Sequence, residues 1–248
     1  MFNGIYTLWL REVKHLLRSR SQIVGSLGVP FFFLVILGFG FGSFVNVGDL
    51  NYQEFLAPGI IGMMLLFSSM FAGLSVVSDK QFGFMKEMLV APISRIEIVL
   101  GKTLGGSMVS MIQGILVLVI ALLLGFITNI NPITIFLALI VMFLISVGFV
   151  SLGVAFASKI DNPHSFQIIL NFFIMPLFLL SGALFPLHNL PAVMQSISFV
   201  DPLTYGVDAL RLLFTGQSFF PLTTSIPVLL GFNLVFIVLA AWLFSKGE

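Results

Sequence analysis

The sequence predicts an all-α polytopic membrane protein with six transmembrane helices, an N-terminal interfacial amphipathic helix, and outward re-entrant helices before the last span. Three observations predict it. Apolar residues make up 58% of the chain and charged ones 8%, against roughly 45–50% and about 25% in soluble domains. The apolar runs are each long enough to cross a hydrocarbon core about 30 Å thick, which takes about 20 helical residues. The few charges are also sided. Of eleven Lys and Arg residues, all but Arg211 fall at the N-terminus, between runs two and three, between runs four and five, or at the C-terminus. Cytoplasmic connections carry such an excess, so both termini are expected in the cytoplasm, which requires an even number of spans.

The first element is residues 2–18. On a helical wheel Phe2, Ile5, Tyr6, Trp9, Val13, Leu16 and Leu17 share one face, while Arg11, Lys14, His15 and Arg18 point the opposite way. Such a helix is expected to lie in the membrane surface, cations toward headgroups and Trp9 at the boundary. Spans follow near 23–45, 56–78, 99–127, 132–157, 166–184 and 226–244. The first run is too long for a cleaved signal peptide and lacks its small-residue cleavage pattern. With no soluble domain, linker or solenoid repeat in view, residues 1–248 read as a single transmembrane domain.

Two connections are unusual. In the loop 79–98, Phe82 through Val90 can form a short helix that Pro92 stops, because the residue before a proline is pushed out of the helical region. Ser94 can cap the next helix, with Glu97 three residues on as in a capping box. Phe82, Phe84, Met85, Met88 and Leu89 are too apolar for a loop facing only water, and want a groove on a partner or the headgroup layer. The outward segment 185–222 contains Pro186, Pro191, Pro202 and Pro221. Its pieces 193–199 and 204–214 are too short to span but can dip into the outer leaflet, where irregular backbone must be buried or line a cavity. Asp208 and Arg211 are three apart and would pair on one helix face, as a structural salt bridge or as a gate or substrate contact.

Several chemistries are absent. The middles of the spans contain no Asp, Glu, Lys, Arg or His, which argues against ion-coupled transport, whose relays sit at membrane depth. His15, His164 and His188 lie in surface segments without ligand spacing, so no metal site is expected. There is no Cys for disulfides or thiolate sites, and a net charge of +1 offers no field for nucleic acid. Gly101-Lys102-Thr103 invites a phosphate-loop reading, but Ile96 stands where that pattern needs a Gly, so the chain binds no nucleotide by itself. Gly101 and Gly105, like Gly38 and Gly42, form G-x-x-x-G pairs that permit close helix contact and that chance also supplies among 23 Gly. Asn171, Gln113, Asn233, Ser68, Ser69, Ser107 and Ser110 are read mainly as helix-packing hydrogen-bond groups.

Five runs then carry a resemblance. They are Phe55-Leu56-Ala57-Pro58-Gly59-Ile60-Ile61, Asp79-Lys80-x-x-Gly83, Met88-Leu89-Val90-Ala91-Pro92-x-Ser94-Arg95, Leu100-Gly101-Lys102 and Asp201-Pro202-Leu203-Thr204-Tyr205-Gly206-Val207-Asp208-Ala209-Leu210-Arg211. In order and spacing the chain resembles type-2 ATP-binding-cassette export permeases, in the branch of daunorubicin-type drug resistance and lipo-oligosaccharide nodulation-factor export. Gln81 stands where many relatives carry an acid, and Asp201 replaces a common Asn.

The resemblance implies a transport subunit of the cell (inner or plasma) membrane, without catalytic residues or metal. It would export an amphipathic, drug-like or lipid- or oligosaccharide-linked substrate. Implied partners are two copies of an ATP-binding-cassette ATPase, a second permease copy in a homodimer or heterodimer, and membrane lipid, but no nucleic acid. No cofactor is bound directly; ATP and Mg enter through the ATPase. In this reading Phe84, Met85, Met88 and Leu89 anchor a coupling helix, Lys86, Glu87 and Arg95 set its register, and Pro92 ends it. Lys159, Asp161 and His164 form a second cytoplasmic contact. Trp9, Arg11, Lys14 and Arg18 belong to a connecting helix, and Asp201, Tyr205, Asp208 and Arg211 to the re-entrant helices, where they are candidates for a gate. The rival readings are a passive channel, which would need no apolar docking helix, and a lipid-modifying enzyme, whose only outward carboxylate pair would be Asp201 and Asp208.

Overall fold

Helix starts follow from the residues that cap them. In the computed structural model, which describes residues 2–42, 46–47, 50–90, 93–128 and 131–246, Asn131, Asn162 and Asp201 each accept a backbone N–H from the helix they precede. Each is followed by a proline at the first helical position, where its fixed φ suits the helix and its missing N–H costs nothing. These three starts open α7 (Pro132–Ala157), α8 (Pro163–Leu180) and α10 (Pro202–Thr215). Ser94 and Glu97 form the expected capping box at the head of α6 (Arg95–Leu123).

The remaining helices are α1 (Phe2–Arg18), α2 (Arg20–Phe32), α3 (Gly38–Gly42), α4 (Tyr52–Gln81), α5 (Phe84–Val90), α9 (Ala192–Ser198) and α11 (Leu222–Ser245). A π-helical stretch, Phe33–Leu37, joins α2 to α3 just beyond Pro30, where the ring denies the helix one of its bonds. A small hairpin that the sequence reading lacked, β1 (Asn46–Val47) with β2 (Leu50–Asn51), precedes α4.

Among the described residues six helices are long and apolar enough to cross a membrane: 23–42, 52–81, 95–123, 132–157, 163–180 and 222–245. They match the six expected spans within a few residues. The fifth stops at Leu180, four residues short of its expected end, because Gly182 takes a left-handed conformation. Residues 43–45, the expected end of the first span, lie outside the described residues.

The centre of the bundle is α4 against α7, with α6 and α10 packed on both. A Cβ on Gly73 would stand 2.4 Å from the Gly153 carbonyl oxygen, so α4 and α7 cross backbone on backbone as small residues allow. Ser110 hydrogen-bonds Ser68 and Ser69 across α4 and α6 at 3.1 and 3.0 Å. The helices α2, α8 and α11 are peripheral, with Val24, Phe172 and Leu234 at least 67% exposed; a bilayer supplies the apolar cover that water would not. Arg95 donates to the Ser245 carbonyl at 2.7 Å, and α1 packs along α6. Both ends of the described chain therefore lie at the end of the bundle that carries α5, here called the basic end.

Candidate functional site

The basic end is organised around one lysine. Lys102 lies two turns into α6, on the same face as Gly105 and beside Gly101. A Cβ on Gly101 would meet Leu8 Cβ at 2.8 Å, and one on Gly105 would meet Glu12 Cγ at 2.8 Å. The G-x-x-x-G pair is thus the seat of α1, and it sets Glu12 over Lys102. The ammonium has three N–H donors and the structure uses all of them. They go to Asp79 Oδ2, to Glu12 Oε1 at 2.6 Å and to Ser75 Oγ at 3.2 Å. Arg11 grips the same Asp79 with both terminal nitrogens, at 2.6 and 3.2 Å. Four charges from α1, α4 and α6 thereby close a knot in which Asp79 and Lys102 are buried. The hydrogen bond to Asp79 also raises the Arg11 guanidinium above its ordinary range.

The knot stands where α4 hands over to α5. Phe82 and Gly83 make the turn, with Gly83 at φ +83°, and the Arg11 guanidinium lies 5.4 Å from the Phe84 ring centroid. The expected helix starts at Phe84 instead of Phe82 because of that turn. Phe82, Val90 and Glu87 point outward, Val90 with 88% of its surface exposed, and Phe84 is half-exposed. Met88 is partly buried against the core. Met85, expected among the outward anchors, is instead buried in the bundle, so it fastens α5 down and offers nothing to a partner. Pro92 and the side chains of Lys86 and Leu89 lie outside the described residues.

The second expected contact adjoins the first. Lys80, at the end of α4, donates to the Ser158 carbonyl at 2.7 Å and to Asp161 Oδ1 at 3.2 Å. This places the exposed Lys159, Asp161 and His164 beside the α4–α5 turn. On α1, Lys14 and Arg18 are exposed and Trp9 stacks on Tyr6 at 5.7 Å. Arg11 departs from the expectation for that helix: it turns to Asp79 and not wholly to headgroups. The helix buries Leu8 and Leu16, with Glu12 between them, against α6; Leu17 and Tyr6 stay exposed.

At the opposite end the four expected residues of the re-entrant segment all face inward. Asp201 caps α10 through the Leu203 amide, and the Tyr205 hydroxyl donates to the Phe199 carbonyl at 2.8 Å. Asp208 accepts the Phe219 and Phe220 amides at 2.9 and 2.7 Å. Arg211 donates to the Gly182 carbonyl at 2.8 Å and lies 3.9 Å from the Phe55 ring centroid. Asp208 and Arg211 share a face as expected, but approach only to 3.9 Å, beyond hydrogen-bonding reach.

Sequence reasoning missed Glu12, Asp79 and Lys102 as a unit. A signal existed: Lys102 is a cation inside an apolar run, and a buried ammonium needs acids within reach. Two of the resemblance runs, Asp79-Lys80 and Leu100-Gly101-Lys102, turn out to meet through that pair. The arrangement positions helices; its charges are taken up by one another.

Residues 3–215 match the profile of the ABC-2 type transporter family. The Escherichia coli K12 inner membrane transport permease YadH is 28% identical over 99% of this chain and 96% of its own length. The ycf38 transport permease of Cyanophora paradoxa is 29% identical over 86% of this chain and 75% of its own. Nodulation protein J of Rhizobium leguminosarum bv. viciae is 27% identical over 79% of this chain and 76% of its own. With six spans, a short helix after the second at the basic end and a profile match over most of its length, the chain belongs to the ABC-2 type transporter family.

Proposed function

We propose that this permease pairs with a second permease copy and two separate ATPase subunits, and moves an amphipathic, drug-like or lipid- or oligosaccharide-linked substrate outward by alternating access. Both termini and α5 lie in the cytoplasm, as the Lys and Arg excess on that side supports. ATP and Mg stay on the ATPase, and this chain supplies path and lever. The observation that carries the reading is α5. A seven-residue helix exposes Phe84, Glu87 and Val90 while Met85 and Arg11 tie it to the bundle. A partner groove would desolvate that face, where aromatic and aliphatic anchors give most of the affinity and charges set register. Lys159, Asp161 and His164 make the adjacent smaller contact. Closure of the ATPase dimer pushes α5, and the knot passes that push to α1 and α6. A ligand that stimulates turnover must bind one state of the pair better than the other.

The test is purification from native membranes in mild detergent, with ATP turnover assayed on what co-purifies. The wild-type chain should bring an ATPase with it, and Val90→Asp or Met88→Asp should lose it or uncouple its turnover. A variant that keeps full association and transport would contradict the docking role. Ion conductance by the isolated chain without nucleotide would replace the reading by a passive pore.

A further inference from the structure

A cleft of about 710 Å³ separates α1 and α2 from α4 and α6. Its walls away from the knot are mainly apolar, with Met63, Met64 and Phe67 of α4 and Val29 and Pro30 of α2. Its mouth is charged, where Arg11, Glu12 and Asp79 line it. Met63 and Asp79 are sixteen residues apart on one helix, so the cleft runs about 24 Å at 1.5 Å per residue. It is long, mostly apolar with Ser26, Ser68 and Gln113 set along it, and charged at one end.

The mouth opens beside a second hollow at the junction of α1 and α2, lined by Arg11, Lys14, His15, Arg18, Ser19 and Ser21. Among the described residues no acid lines that cup. The two acids at the cleft mouth are already engaged, Asp79 by Arg11 and Lys102 and Glu12 by Lys102. Lys14 and Arg18 are exposed and form no ion pair among the described residues. Arg11 and His15 line both hollows and join them. An apolar slot leading from a cup with spare cationic donors and two hydroxyls matches a molecule with an apolar tail and an anionic, oxygen-rich head.

We propose that cleft and cup together bind an anionic, phosphate-bearing amphiphile, its tail along α4 between α2 and α6 and its phosphate at Lys14, His15 and Arg18. The site deepens the permease reading by naming a ligand class, but binding itself requires no ATPase. The same chemistry has two sources, a resident bilayer phospholipid and a transported solute.

The test uses the purified full chain, titrated with hexadecyl phosphate and with hexadecanol and scored by native mass spectrometry. Hexadecyl phosphate should bind at least about tenfold tighter. A Cβ on Gly25, which lines the cleft, meets no atom within 4 Å, so Gly25→Phe can start a side chain into the slot. It should weaken both ligands about tenfold while leaving the melting temperature unchanged. Lys14→Glu with Arg18→Glu, at exposed positions, should abolish the preference for phosphate and leave hexadecanol binding as it was. A preference that survives charge reversal, or affinities unmoved by Gly25→Phe, would overturn the site. Phosphatidylglycerol retained by the complex through ATP turnover would mark a resident lipid, and its release on turnover a cargo; either result supports the site. Because the binding arms use no nucleotide, their failure would leave the ATPase-docking result intact, and the converse also holds.

Discussion

The two ends of the bundle bury charge in different ways. At the basic end, Lys102, Asp79, Glu12 and Arg11 come from three helices and satisfy one another side chain to side chain. At the opposite end, Asp201 and Asp208 take main-chain amides from their own segment, within 12 residues. Arg211 alone reaches to other elements, at Gly182 and Phe55. A carboxylate held by its own loop fixes the shape of that loop wherever the loop goes. A knot spread over three helices has its geometry set by where those helices stand. This is the physical reason to place the proposed lever at the basic end.

The comparison breaks most readily at Lys102. Lys102→Ala removes the cation that Asp79 and Glu12 share and leaves Asp79 to Arg11 alone, and breaking a buried pair costs about 3–5 kcal/mol. The melting temperature of the purified protein should fall accordingly. Asp79→Leu with Lys102→Met removes both buried charges and should recover part of the loss. At the opposite end, Asp208→Ala strips the acceptor from two amides, at about 1.5–3 kcal/mol for charge-assisted bonds, and Asp208→Asn should lose less. Gly105→Leu sharpens the contrast, since it drives α1 off α6 at a cost of about 1–3 kcal/mol by overpacking. It should also depress coupled ATP turnover per folded complex, which Asp208→Asn should not. Asp161→Asn is the smallest case. Its exposed contact with Lys80 should be worth about 0–1 kcal/mol, with no measurable change in yield.

Much of the frame was legible in the residues. The six spans, the short helix before Pro92, the Ser94–Glu97 box and two short helices in the outward segment all follow from run length, proline position and capping chemistry, which act locally. What escaped was set by helix crossings. Nothing in the 2–18 pattern says that Leu8, Glu12 and Leu16 would face α6, because a helical wheel ranks faces by hydropathy and Glu12 scores as outward. Met85 looked like its neighbours Phe84 and Met88, and only the path of the chain turns it inward. The G-x-x-x-G at Gly101 and Gly105 looked like chance until α1 lay across it. The inward set of Asp201, Tyr205, Asp208 and Arg211 likewise depends on α10 being packed on α4 and α7, which one sequence does not specify.

The most direct test uses the chain's lack of cysteine. Single cysteines at Val90 on α5 and at Val200, 71% exposed at the opposite end, would be offered to a short bifunctional cross-linker in native membranes. Val90→Cys should link this permease to an ATP-hydrolysing subunit, and Val200→Cys should not. Linkage from Val200 with none from Val90 would reverse the two ends and contradict the proposed docking of α5.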